Sequence, residues 1–218
     1  MGEEKPRNYT GFAGHRRIAS GGLTEVALKA KELIDGGESA PILLFADETG
    51  AVVHPDFRGT REEFLEKLAR KQARATENAD AEAEEPRKAG PGRPKLGVVS
   101  REVSLLPRHW EWLNAQPGGA SVTLRKLVEA AKRESQGADK ARRSQEAAYR
   151  FMSAMAGDFP GFEEASRAFF ANDPQRFEPL IQSWPEDVRD HVRKLAELAF
   201  RDAEEAARRP TQTVGGGT

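Results

Sequence analysis

Ser100, Glu102 and Ser104 stand at every second position of residues 97–105, interleaved with Val99, Val103 and Leu105. That alternation predicts a half-buried strand with one apolar face and one face of two hydroxyls and a carboxylate. Such groups at such a spacing can read the edges of base pairs. A hydroxyl can donate or accept, and a carboxylate accepts from the amino group of cytosine. The phase stays open, because Arg101 interrupts the apolar face and Leu105 and Leu106 are adjacent. In the other phase Arg101, Val103 and Leu105 would face outward. Just upstream, Arg93 and Lys95 form a short basic arm that would add phosphate or minor-groove contacts.

Two helices are expected to position this strand. Pro107 ends it and suits a first helical turn, so residues 108–116 form a short helix that buries Trp110 and Leu113. Pro117, Gly118 and Gly119 close that helix. Ser121 is the expected N-cap of the next one, whose stripe of Leu124, Leu127, Val128 and Ala131 has helical spacing. The free amides at Ser121 and Val122 would then hold a phosphate and fix the docking register. A lone strand with two helices leaves its edge hydrogen-bonding groups bare and cannot close a core. A second copy would supply the missing strand, with Val99, Val103, Leu105, Trp110 and Leu124 at the dimer contact.

The order strand, proline, helix, glycine turn, Ser-capped helix resembles the ribbon-helix-helix family of dimeric DNA-binding proteins. The resemblance covers about forty residues and implies a homodimer whose shared ribbon enters the major groove, as in a transcriptional regulator. Two tryptophans in so short a first helix, Trp110 and Trp112, suit an added interface. Gly92-Arg93-Pro94-Lys95 resembles the core of an AT-hook, with Pro91 where the full motif has arginine. An ordinary charged linker end accounts for it equally well.

Charge points the same way. The formal net charge is −1, yet residues 87–143 hold 13 Lys and Arg against 5 Asp and Glu. Residues 1–86 hold 12 against 17, and residues 144–218 hold 9 against 13. A basic centre between acidic flanks is the pattern of a polyanion-binding module, with the flanks free to meet protein partners.

The remainder predicts an α+β protein in separate modules: a small N-terminal sheet-and-helix domain, the central segment and a C-terminal helical bundle. Residues 7–73 read as strands at 9–12, 17–20, 41–45 and 51–54. A helix is expected at 23–35, and a capping box, Thr60-Arg-Glu-Glu63, opens another. The order strand, strand, helix occurs twice, which suggests one sheet with both helices on one face. Residues 74–92 are rich in Ala, Glu, Gly and Pro and read as a disordered linker, followed by the central segment at 93–136. Residues 135–144 read as a loop or a helix extension. Residues 140–207 carry helical stripes of Ala148, Phe151, Met152 and Met155, then Phe162, Ala165 and Phe169, then Val188, Val192 and Leu195. These are expected to form core rather than a ligand pocket. Residues 208–218 read as a disordered tail.

The segments YTGFAGHRRIASG, GRPKLGVVSREVSLLPRHWEWLNAQPGGASVTLRKLVEAAKR, EAAYRFMSAMAGDFPGF and WPEDVRDHV together resemble an uncharacterised bacterial family of unknown function. That resemblance implies no activity and no site residues. His15, Asp47, His54 and Asp56 match no metal-ligand spacing, so no metal and no cofactor is expected. No phosphate-binding glycine loop or nucleophile elbow is present, so an enzyme is not expected. The chain has no cysteine and no long apolar run, which predicts a soluble cytoplasmic protein with no membrane partner. Two readings remain, a homodimeric DNA-binding regulator and a dimeric adaptor that binds proteins.

Overall fold

The computed structural model describes residues 7–83 and 101–208, with side chains at all of these except 72 and 75–83. Its elements are β1 (Tyr9–Ala13), β2 (Arg16–Gly21), α1 (Leu23–Asp35), β3 (Ile42–Ala46), β4 (Ala51–Val53), α2 (Arg61–Ala83), α3 (Pro107–Ala115), α4 (Gly119–Ala156), α5 (Phe162–Phe170), α6 (Pro174–Leu180) and α7 (Glu186–Arg208). They divide into two units, residues 1–57 with 133–218, and residues 58–132.

The first unit is α+β, built on a four-stranded antiparallel sheet of order β2-β1-β3-β4. Two hairpins thus meet through their first strands. Because paired residues of an antiparallel sheet point to the same side, the registers sort the two faces. Gly11 opposes Leu44, and Thr10 and Phe12 oppose Phe45 and Leu43. The Gly11 face belongs to α1, since a side chain at position 11 would collide with Val26 and Ile18. Helix α1 buries Val26, Ala27 and Ala30 and ends at Gly36, where the sequence places its end.

The opposite face is where the structure departs from the modular reading. Phe12 and Phe45 share one core with Phe151, Met152, Phe169, Phe177, Trp184, Val188 and Val192. The rings of Phe45 and Phe151 lie 4.7 Å apart and those of Phe12 and Phe151 5.4 Å apart. Residues 7–73 and 140–207 are therefore not two domains. A sheet with apolar residues on both faces must be covered twice; α1 covers one face, and the C-terminal helices cover the other. The aromatic and methionine stripes of α4 and α5 are core, as their period predicts. Gly50, with φ +62°, is required at the β3–β4 turn, where any Cβ would overlap the backbone carbonyl of Ala147 in α4.

In the second unit, α2 opens with the predicted capping box. Glu63 N–H donates to Thr60 Oγ1 at 3.3 Å, and Thr60 N–H donates to Glu63 Oε2 at 3.1 Å. Helix α2 continues to Ala83, through ten residues assigned to the linker at 74–92. Alanine, glutamate and arginine are strong helix formers, and a helix already started propagates through them. Helix α3 has Pro107 in its first turn. Helix α4 starts at Gly119 and runs unbroken for 38 residues. Ser121 is accordingly inside the first turn and is not its N-cap, and residues 135–144 are helix. Among the described residues no helix is long and apolar enough to cross a membrane.

Candidate functional site

The expected recognition strand falls partly outside the described residues, which exclude Arg93, Lys95, Val99 and Ser100. Residues 101–106 are described, and they form no strand with any described segment. The four described strands pair only with one another, so among the described residues this segment has no strand partner. Glu102 and Ser104 are exposed, as a groove-facing set would be, but Val103 is 54% exposed as well and Leu105 is half-buried. The structure thus sets no apolar face against a polar one here.

The two helices show why. Leu113 is buried, as expected, whereas Trp110 is exposed rather than covered. Leu124 is half-buried, and Leu127 and Val128 on the same stripe are exposed. Ser121 is exposed and Val122 half-buried. Both lie in the first turn of α4. Among the described residues nine large hydrophobic side chains are exposed, and six of them lie between 101 and 132: Val103, Leu106, Trp110, Trp112, Leu127 and Val128.

A second cluster, in the first unit, was not foreseen as a unit. Asp47 follows β3, and its carboxylate accepts from Thr10 Oγ1 at 2.8 Å and from Lys194 Nζ at 3.0 Å. Ser20 Oγ donates in turn to Thr10 Oγ1 at 3.2 Å. His191 of α7 stands beside them, fully buried, with its Nε2 at 3.8 Å from Asp47 Oδ1. That distance is too long for a hydrogen bond, and neither ring nitrogen has a partner. The imidazole is packed instead against the rings of Phe12 and Phe151, at 5.7 Å and 4.4 Å. Burial pushes its pKa down to about 4; Asp47 pulls it up, and the cations of Lys194 and Arg17 lower it further. His191 is therefore neutral at pH 7.

This chemistry fastens α7 to the sheet. Arg17 of β2 completes the fastening, its N–H donating to Asp187 Oδ2 of α7 at 2.8 Å. A nucleophile needs a hydroxyl within reach of its base, and here the relay from Ser20 through Thr10 ends on the carboxylate while the imidazole stands apart. In the sequence Asp47 matches no ligand spacing, and His191 is one position on a helix. The one legible signal was a histidine in line with the apolar residues Val188, Val192 and Leu195. His15 packs edge-on against Phe159 at 4.9 Å. Among the described residues no cluster of three His, Asp or Glu side chains is arranged to hold a metal.

Beside this, helices α4, α5 and α7 border a groove of about 340 Å³ lined by Phe169, Phe200 and several alanines, with Arg142, Gln145 and Asn172 at its margin. Arg142 already pairs with Asp139 at 3.0 Å.

Residues 8–196 match the family described as "Uncharacterized protein conserved in bacteria (DUF2239)". No curated protein and no solved structure matches the chain.

Proposed function

We infer that this chain, which belongs to the DUF2239 family of uncharacterised bacterial proteins, acts as a homodimer that binds DNA through its central segment, as a transcriptional regulator in the cytoplasm. The observation that carries this reading is the concentration of exposed apolar side chains in residues 101–132. Scattered exposed leucines need no explanation, but a run of them in one small unit marks an interaction surface. A second copy is the partner that would also provide an antiparallel neighbour for residues 101–105, which pair with no strand among the described residues.

Charge gives the reading its ligand. The excess of 13 cationic over 5 acidic residues in 87–143 would attract a polyanion to the surface the dimer completes. Arg93 and Lys95 would neutralise phosphates, Glu102 and Ser104 would face base edges, and the amides of Ser121 and Val122 would fix the register. In this scheme Glu102 is tolerated near phosphates only because it accepts from a base donor or from Arg101 or Arg108.

The experiment is a titration of the full chain with duplex DNA at several salt concentrations. Neutralised phosphates release counterions, so affinity should fall linearly with salt on a logarithmic scale. Arg93→Ala and Lys95→Ala should each flatten that slope. Indifference to salt would favour the second reading, an adaptor that uses the same uncovered surface, with its acidic flanks, to bind proteins.

A further inference from the structure

Trp110 and Trp112 cannot serve one contact. On an α-helix two positions apart are separated by about 200°, so the two indoles leave α3 on nearly opposite sides. The buried Leu113 marks the inner side. Trp110, three residues before it, lies about 60° away and is 37% exposed. Trp112 lies about 100° away and is 52% exposed. A dimer contact that extends the inner side can cover Trp110; it leaves Trp112 in water.

Along α3 the nearest cation to Trp112 is Arg108, and its one acidic chain neighbour is Glu111. Arg108 precedes it by four residues, which places the guanidinium on the same side of the helix, one turn toward its N-terminus. Arg108 is exposed and makes no ion pair among the described residues. Gln116, one turn beyond, donates its Nε2 to the carbonyl of Trp112 at 3.2 Å, so its amide is held by the backbone instead of lying across the ring. A flat indole open to solvent beside an unpaired guanidinium matches a nucleobase and its phosphate. Every base offers a π face, and an aromatic platform with nearby cations is how unpaired strands are held without reading sequence.

Resting on the DNA-binding reading above, we propose that Trp112 and Arg108 form a stacking site for unpaired bases, so that the central segment engages single-stranded or locally opened DNA in addition to duplex. The indole takes the base and the guanidinium takes the flanking phosphate. The basic centre supplies the long-range attraction, and Trp112 sets the preference for unpaired strands.

The test uses the full chain with an oligothymidylate, which forms no internal pairs, and with a mixed-sequence duplex of equal length. Binding is followed by anisotropy of the labelled DNA and by tryptophan fluorescence, with Trp110→Phe and Trp184→Phe assigning the signal. The single strand should quench Trp112. Trp112→Ala should weaken single-strand binding by roughly tenfold or more, Trp112→Phe should recover most of that loss, and duplex affinity should stay near its original value. Arg108→Ala should weaken single-strand binding and reduce its salt slope. Salt-dependent duplex binding combined with an unquenched Trp112 and an unchanged single-strand affinity in Trp112→Ala overturns the stacking site and leaves the DNA-binding reading standing. Loss of the dimer in Trp112→Ala, seen by sedimentation, also overturns it, by assigning the indole to self-contact. Failure of the unmodified chain to bind either DNA overturns both readings.

Discussion

The core of the first unit and residues 101–132 treat their apolar residues in opposite ways. In the first, Phe12, Phe45, Phe151, Phe169 and Phe177 are all buried, and sheet and helices close over them from both sides. In the second, α3 and the start of α4 leave two tryptophans, Leu127 and Val128 in water. Both segments carry amphipathic helices of ordinary spacing. The difference is that the first finds its cover within the chain, whereas in residues 101–132 the described residues leave most of the same pattern exposed. A periodic apolar stripe says which side chains are to be covered and leaves open what covers them.

The largest effects should separate the units by truncation. Phe151→Ala removes a ring that touches Phe12, Phe45 and His191, and should cost about 3–5 kcal/mol in chemical denaturation. Val128→Ala, at a position 61% exposed, should change the stability of the isolated chain by less than about 0.5 kcal/mol while weakening self-association. Equal losses at both positions would erase the contrast.

Acid should sharpen it next. The pKa of His191 is held near 4 in the folded chain, below its ordinary 6.5, so the unfolded chain takes up a proton first. Stability from this group is complete above pH 6.5 and is lost as pH falls from there toward 4, by up to about 3 kcal/mol. The loss belongs to the first unit, where protonation would place a charge between Phe12 and Phe151 with only Asp47 to answer it. His191→Leu should flatten the stability profile over that range, since the ring nitrogens hold no hydrogen bonds that leucine would forfeit. An unchanged acid slope in that variant would remove His191 from the account.

A smaller effect concerns how the second unit begins. Thr60→Ala deletes one half of the capping box and should cost about 1 kcal/mol, seen as faster amide exchange in the first turn of α2. Exchange there at the original rate would mean that α2 is held by something other than its cap.

These elements differ in how plainly the sequence announced them. Helix α1, the two hairpins and the Thr60–Glu63 box were legible because their signals are local: alternation, a glycine pair, a hydroxyl three residues before a carboxylate. The shared core was not, because Phe12 meets Phe151 and Asp47 meets Lys194 across more than a hundred residues, and no short pattern encodes such a meeting. The unbroken α4 was only half legible. Ser135 and Gly137 look like breakers, yet they are flanked by good helix formers, and the exposed stretch follows from the helix on either side of it. The central segment is legible in its helices and its charge but not in its strand, because a strand exists only with a partner, and none is found for it among the described residues.

The claim that this segment is completed by a second copy is tested most directly by sedimentation equilibrium of the full chain at low micromolar concentration, beside the double variant Leu127→Glu, Val128→Glu. The account predicts two chains for the original protein and one for the variant, with the circular dichroism of the first unit preserved in both. A folded original protein that sediments as a single chain would contradict it.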